Sequence, residues 1–197
     1  MDDNQKQPFD WNETYTGELD DVQEPDAQLM KIVGDLAPGR ALDMGCGAGG
    51  TVAALAELGW RVTGVDIAPR AIEAATKFLA SRNLVAELHV SDAVGFEPGS
   101  RYDLVLSSFA LPATEEDQRK FYRLVTSCLA PGGTVLIKDF DASMGRLEVF
   151  QSFHCPTLDE FRRAFDGLEI QTCEIVDTDR GDGGDIPWTA AVFQARS

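Results

Sequence analysis

The chain of 197 residues predicts a single three-layer α/β domain, on three observations. Short apolar runs alternate with helix-spaced amphipathic segments, the rhythm of βαβ units around a mostly parallel sheet. A glycine-rich turn, Gly45-Cys-Gly-Ala-Gly-Gly50, stands where one apolar run gives way to a helical one. After Phe140 the rhythm changes, and two strand-like runs follow one another without a helix between them. Such a pair implies antiparallel strands at the end of the sheet.

Each element has a local reason. Glu24-Pro25-Asp26 starts a helix that runs to about Leu36, with Pro tolerated in its first turn, and Pro38-Gly39 breaks the chain after it. Arg40–Met44 is a short apolar strand; a helix from Thr51 to Leu58 follows the glycine turn and stops at Gly59. Trp60–Asp66 is the second strand. Pro69–Ala80 is helical, with Ala71, Ile72, Ala75 and Leu79 on one face. Val85–Val90 and Tyr102–Ser108 read as strands three and four. Thr114 opens a helix whose first-turn acids suit that end of the dipole. Pro131-Gly132-Gly133 closes it, and Thr134–Asp139 forms strand five. A helix over Leu158–Phe165 precedes the strands Leu168–Asp177 and Pro187–Ala195, joined by the turn-rich segment Thr178–Ile186.

A composition of 44% hydrophobic and 25% charged residues excludes global disorder, but the charge is lopsided, with 33 acids against 17 bases and a net of −16. Half of the excess lies in residues 1–26, which carry nine acids and Lys6. That imbalance argues against nucleic acid and anionic membranes as partners. It divides the chain into an acidic N-terminal arm, 1–26, and a domain, 27–197. There is no secretory-type leader and no run of membrane-spanning length. Cys46, Cys128, Cys155 and Cys173 lie far apart, without zinc-type spacing, which indicates free thiols, no metal site and a cytoplasmic location.

Gly45, Gly47 and Gly50 fit a G-x-G-x-x-G turn between strand and helix, where the backbone approaches a ligand closely. Asp66 ends the next strand, 21 residues after Gly45, where a carboxylate accepts ribose hydroxyls. NAD and S-adenosylmethionine both fit such a site. Asp43, two residues before the first glycine, suits a ligand with an ammonium group, and Asp92, after strand three, suits an adenine amino group. No Tyr-x-x-x-Lys pair for hydride chemistry is present. The bland reading of Asp43 and Asp92 is a turn or helix cap.

The segments Ala-Leu-Asp-Met-Gly-Cys-Gly-Ala-Gly (41–49), Val-Thr-Gly-Val-Asp-Ile (62–67), Ser-Asp-Ala (91–93), Tyr-Asp-Leu-Val-Leu-Ser-Ser (102–108) and Leu-Ala-Pro-Gly-Gly-Thr-Val-Leu-Ile (129–137) resemble the ordered motifs of class I S-adenosylmethionine-dependent methyltransferases. The resemblance covers about residues 27–140 and, more loosely, the rest. It implies a Rossmann-like, mostly parallel sheet of seven strands with an antiparallel last strand. It also implies S-adenosylmethionine as methyl donor and S-adenosylhomocysteine as product. Carried over by position, it puts the methionine moiety at Gly45, Cys46 and Gly47, the ribose at Asp66, and the adenine at Ile67, Asp92 and Ala93. Ser107 and Ser108 would lie beside the methyl group. Phe9-Asp-Trp-Asn-Glu-Thr-Tyr15 looks like the aromatic entry segment of the small thiopurine and tellurite-resistance methyltransferases, which folds over the cofactor and makes Trp11 and Tyr15 lid residues. The acids of that arm, Glu13, Glu18, Asp20 and Asp21, would then favour a cationic sulfonium over its neutral product.

The segment after strand four, Ser-Ser-Phe-Ala-Leu-Pro (107–112), lacks both an Asn/Asp-Pro-Pro-aromatic signature and a histidine, so no general base stands in the usual place. His154, in Phe153-His-Cys-Pro, is the candidate base, while Asp139, Phe140 and Trp188 are candidates for the acceptor pocket. His89 reads as buried or edge strand structure, and Cys46 as packed rather than nucleophilic. The expected reaction is methyl transfer to a small molecule such as a thiol or other chalcogen compound. The alternative is a nucleoside-cofactor binding protein of the same fold that transfers no methyl, or an NAD-dependent dehydrogenase.

Overall fold

The structure is a computed structural model that describes residues 10–178 and 188–197. Phe9 and most of the segment joining the last two strands lie outside the described residues.

Seven strands form one sheet, β1 (Arg40–Met44), β2 (Arg61–Asp66), β3 (Glu87–Val90), β4 (Tyr102–Ser108), β5 (Leu129–Phe140), β6 (Glu169–Thr178) and β7 (Trp188–Arg196). Their order is β3-β2-β1-β4-β5-β7-β6. Pairings are parallel from β3 through β5, and β7 runs antiparallel to both β5 and β6. The chain is therefore the mostly parallel three-layer fold, and the closing strand pair sits where the lost alternation placed it.

The helices are α1 (Trp11–Thr14), α2 (Ala27–Gly34), α3 (Gly50–Glu57), α4 (Pro69–Ser81), α5 (Glu115–Cys128) and α6 (Leu158–Ala164). Two apolar cores separate the layers. Leu42 and Met44 of β1, Val105 of β4, Val135 and Ile137 of β5 and Phe193 of β7 meet Phe121, Tyr122 and Val125 of α5 and Phe161 of α6. The alternate residues Ala41, Leu104, Leu106, Leu136 and Val192 meet Leu29 and Val33 of α2, Val52 and Leu55 of α3 and Leu79 of α4. Successive strand residues point to opposite faces, so central strands covered on both sides must be apolar throughout. None of the described helices is long and apolar enough to cross a membrane.

Several boundaries differ from the sequence reading. Helix α2 ends at Gly34 rather than near Leu36, its last turn closed by Leu36 N–H donating to the Val33 carbonyl. Strand β3 begins at Glu87, and Val85 is outside it and 87% exposed. Helix α5 ends at Cys128, before Pro131-Gly132-Gly133, because Leu129 already pairs with Tyr102. The next β4 pair is Leu104 with Thr134, so the Pro-Gly-Gly triplet forms an irregularity inside β5 instead of a helix stop. Helix α1 and the 3-10 turns Leu19–Asp21, Met144–Arg146 and Glu148–Phe150 were not anticipated; all are too short to show a periodicity.

An acidic cleft at the strand ends

The functional site follows from the strand order. The chain leaves β1 toward β2 and β3 on one side and returns to β4 on the other, so the C-terminal ends of β1 and β4 flank a topological switch point, where open α/β sheets bind ligands. A cleft of about 940 Å³ opens there, of the size of a small-molecule site. Its floor is Asp43 and the glycine turn; Val65–Ile67 and Ser91–Val94 form one wall, and Ser108–Thr114 the other. The arm (Trp11, Tyr15, Asp21, Glu24, Asp26) and the stretch Gln151–Phe153 complete the rim.

The glycine turn is shaped by close approaches. Gly45 has φ +80°, and a Cβ built there would stand 2.0 Å from the Cβ of Ala110. Gly47 has φ +51°, and its Cβ would stand 3.1 Å from the Tyr15 hydroxyl. Both positions need the left-handed backbone and the missing side chain. Asp66 holds the turn: its Oδ2 accepts from Gly47 N–H at 2.8 Å and its Oδ1 from Ala68 N–H at 2.9 Å. Burial raises the Asp66 pKa, an effect moderated by those amides.

Asp43 is 2% exposed and lines the cleft, and its Oδ2 has no hydrogen-bond partner. Burial, then the Asp66 charge, pushes its pKa up to about 7. Burial likewise holds the Cys46 thiol well above its usual range, reinforced by Asp43 and Asp66, so it stays protonated. The Tyr15 phenol is raised to about 12, by burial first and then by Asp66. Seven carboxylates (Asp21, Glu24, Asp26, Asp43, Asp66, Asp92 and Asp117) line the cleft, and no Lys, Arg or His is among its described lining residues.

Eleven of the twelve cofactor positions marked in the sequence line this one cleft: Trp11, Tyr15, Asp43, Gly45, Cys46, Gly47, Asp66, Ile67, Asp92, Ala93 and Ser108. Ser107 does not. It alternates with Ser108 along β4, is 1% exposed, and its Oγ is buried without a partner. The register pairs Asp43 with Leu106, so the two unpartnered polar groups, Asp43 and Ser107, stand one step apart on neighbouring strand ends.

His154 is not brought to the cleft. Its Nε2 lies 2.7 Å from Glu160 Oε1, its N–H donates to the Ala113 carbonyl, and its own carbonyl accepts from Gln118 Nε2. The imidazole is therefore tied to α6, and the peptide group supports the wall loop. Asp139, Phe140 and Trp188 do not line the cleft either. Asp139 Oδ2 accepts from Leu111 N–H at 2.9 Å, and Phe140 sits among Phe109, Phe150 and Trp188. Asp139 thus pins the wall loop, in which Phe109 carries a left-handed φ of +52°, costly for a bulky residue. His89 is exposed on the edge strand β3, its ring 5.5 Å from that of Phe96.

The described part of the arm, residues 10–26, lies against α4. Asn12 Oδ1 accepts from Arg70 N–H, and Lys77 Nζ donates to the Gly17 carbonyl at 2.8 Å and to Glu18 at 2.9 Å. Trp11 meets Phe153 across the mouth, with ring centroids 6.3 Å apart. Of the four arm acids expected to face a cationic ligand, only Asp21 lines the cleft; Glu18 is paired with Lys77, and Glu13 and Asp20 face elsewhere. Asp26, missed as a lining residue, caps α2 through Oδ1 and binds Lys138 of β5 at 2.6 Å through Oδ2. Only tertiary structure brings residues 112 apart in sequence together in this way.

Residues 41–133 match the methyltransferase domain family. The ribosomal RNA small subunit methyltransferase C of Alcanivorax borkumensis is 34% identical over 103 residues, covering 50% of this chain and 31% of that protein. The 2-heptyl-1-hydroxyquinolin-4(1H)-one methyltransferase of Mycobacteroides abscessus is 28% identical over 128 residues, 61% of this chain and 55% of the relative. The chain thus spans less than two thirds of the length of the curated relatives it matches. Among solved structures, TehB from Haemophilus influenzae superposes with a TM-score of 0.76 at 19% identity, over 89% of this chain and 63% of that one. The N-methyltransferase NodS from Bradyrhizobium japonicum, in complex with S-adenosyl-l-homocysteine, gives 0.71 at 19% identity, over 86% and 84%. At these identities the structural likeness is one of fold.

Proposed function

We propose that the chain, whose residues 41–133 match the methyltransferase domain family, is a class I S-adenosylmethionine-dependent methyltransferase that transfers a methyl group from S-adenosylmethionine to a small-molecule acceptor. The observation that carries this reading is the acidic cleft itself, with an enclosed glycine turn and the unpartnered carboxylate of Asp43 at its floor. Buried polar groups in folded proteins are normally hydrogen-bonded, so an orphaned carboxylate at a cleft floor fits a ligand that donates, such as an ammonium group. The left-handed turn at Gly45 and Gly47 leaves room for that ligand's chain. A dinucleotide brings a pyrophosphate, and a lining of seven carboxylates without one base opposes it. The same charge favours a small acceptor over an RNA such as the ribosomal RNA in the name of the relative from Alcanivorax, because it repels a phosphate backbone.

When bound, S-adenosylmethionine supplies a methyl carbon on a sulfonium, so the leaving group needs no further activation. In this reading Gly45, Cys46 and Gly47 hold the amino-acid end with Asp43, Asp66 receives the ribose, and Ile67, Asp92 and Ala93 bracket the adenine. Asp66 keeps acceptor capacity beyond its two amide bonds, because a carboxylate offers about four lone-pair sites. Ser108 lines the cleft and Ser107 does not, so in this reading Ser108 is the one beside the methyl group. Trp11 and Tyr15, on the arm of residues 1–26, cover the cleft and exclude water, while residues 27–197 form the domain beneath. Phe109, Leu111, Pro112 and Phe153 give the acceptor an apolar bed held in place by Asp139. The described lining residues include no histidine or lysine, and Cys46 stays protonated, so a thiol or other soft chalcogen acceptor, which needs little help from a base, suits this lining. The free cysteines suit the cytoplasm.

Calorimetry with S-adenosylmethionine, S-adenosylhomocysteine and NAD tests the cofactor, and binding of NAD alone would refute the reading. A labelled-methyl screen over thiols, selenols, phenols and amines tests the acceptor. Transfer confined to oxygen or nitrogen would displace the chalcogen part.

A further inference from the structure

We propose that Gln118, which stands outside the cleft, is the positioning residue of its acceptor end, because its amide ties the wall loop 109–114 and the stretch 151–155 into one preformed bed. The inference rests on the methyl transfer proposed above and concerns the acceptor rather than the cofactor. Gln118 lies near the start of α5, is 2% exposed and is not among the described lining residues. Its Nε2 donates to the Pro112 carbonyl at 2.9 Å and to the His154 carbonyl at 2.7 Å. Its Oε1 accepts from the Tyr122 hydroxyl at 3.2 Å. Burial first, then the charges of Asp139 and Glu160, hold the Tyr122 phenol far above its usual range, so that hydroxyl keeps its proton and donates. The direction of the amide is thereby fixed, since a flipped amide would set its oxygen against two carbonyl oxygens. Among side chains, only the amides of Asn and Gln pair an acceptor oxygen with two donor hydrogens without carrying a charge, and here all three are engaged.

The two segments that meet at Gln118 supply a wall of the cleft, Phe109–Thr114, and a part of its rim, Gln151–Phe153. They also touch directly, through His154 N–H donating to the Ala113 carbonyl at 2.7 Å. Their supports are divided. Asp139 accepts from Leu111 N–H at 2.9 Å and so holds the half of the wall beside the glycine turn, where Ala110 is the residue that a Cβ on Gly45 would meet. Gln118 holds the far half, from Pro112 across to the approach of Phe153, on which Trp11 rests with ring centroids 6.3 Å apart. Without the amide, two carbonyls lose their donor and the far half is free to leave the productive arrangement. An acceptor then binds only the fraction still in place, so its KM rises while saturating acceptor restores kcat. A defect of global folding acts otherwise: it removes active molecules and lowers kcat at unchanged KM.

Gln118→Leu, similar in volume but without the amide, tests the tie. With thiophenol as the acceptor probe and labelled S-adenosylmethionine, KM for thiophenol should rise at least about fivefold while kcat stays within about twofold. The dissociation constant of S-adenosylhomocysteine, read by calorimetry, should stay within about twofold, because the support beside the glycine turn is untouched. Amide hydrogen exchange by NMR, with no acceptor present, should quicken about tenfold or more at His154 N–H and stay within about twofold at Leu111 N–H. Tyr122→Phe keeps the ring and withdraws only the hydroxyl that orients the amide. It should move KM and the His154 exchange in the same direction by less, and it carries the test if Gln118→Leu does not fold. A lowered kcat at unchanged KM overturns the proposal, as does exchange that quickens equally at both amides or at neither. Thiophenol left unmethylated by the unaltered protein would strike the thiol acceptor alone, and the exchange contrast would then decide the tie by itself. Failure of S-adenosylhomocysteine to bind the unaltered protein would instead strike the cofactor.

Discussion

Asp43 should make the ligand-free protein less stable than it need be, and the size of that effect is calculable. Its carboxyl ionises at about 7 in the fold, against about 3.9 in an unfolded chain. Between those values the folded state binds more protons than the unfolded one, so stability falls as pH rises through this window. The interval corresponds to about 4 kcal/mol, present as a penalty above pH 7 and absent below about pH 4. Asp43 is fully enclosed, so solvent screening gives little relief. Asp43→Asn keeps the shape and removes the charge. It should stabilise the ligand-free protein by about 2–4 kcal/mol at pH 8, and by less than about 1 kcal/mol at pH 4.5. Urea denaturation of both proteins across that range, followed by tryptophan fluorescence, measures the difference directly. Asp139, raised by burial to about 6, contributes to the slope of both proteins and cancels in the comparison. An Asn variant that is less stable at pH 8, or that keeps the full pH dependence, would show that Asp43 is not a buried, unpaired charge.

Asp66→Ala removes the acceptor of Gly47 N–H and Ala68 N–H and should lower S-adenosylmethionine affinity by about 1–3 kcal/mol, read by calorimetry; an unchanged dissociation constant would separate Asp66 from the site. Gly45→Ala combines a left-handed φ with a contact of 2.0 Å against Ala110, and thermal melting should show a loss of more than about 2 kcal/mol. Adding Ala110→Gly should recover part of that loss but not all, because the backbone angle stays unfavourable. Trp11→Ala, at a residue 42% exposed, should leave urea stability within about 0.5 kcal/mol while weakening both cofactor forms severalfold. A large stability loss would make Trp11 an element of the fold rather than a cover.

The parts of the candidate cleft that sequence made legible are those whose position is local. Asp43, Gly45, Asp66 and Asp92 each end a strand or begin the turn after it, and a parallel sheet brings consecutive strand ends to one edge. Strand limits such as Arg40–Met44 and Tyr102–Ser108 followed from apolar runs bounded by breakers. What escaped depends on parity and distance. Ser107 and Ser108 are chemically alike, and only the register of β4 decides which faces the cleft. His154 sits in a loop beside the cleft, but its ring is held by Glu160 on α6, while Gln118 of α5 holds its main-chain carbonyl. Asp139 looked like a pocket wall and proves to be the anchor of one, since its partners are main-chain amides around residue 111. Pro131-Gly132-Gly133 carries a strong local stop signal, yet pairing of Leu129 with Tyr102 overrides it.

The Asp26–Lys138 bond gives the arm a mechanical boundary. Asp26 is 17% exposed and Lys138 6%, so the pair is enclosed, and the same carboxylate fixes the first turn of α2. Any swing of the arm must therefore have its fulcrum on the N-terminal side of Asp26. A chain trimmed back to residue 27 would lose more than a cover, because it would strand an ammonium inside the sheet, a defect that typically costs about 3–5 kcal/mol. Charge, which first marked these 26 residues as an appendage, instead rivets the last of them to the framework.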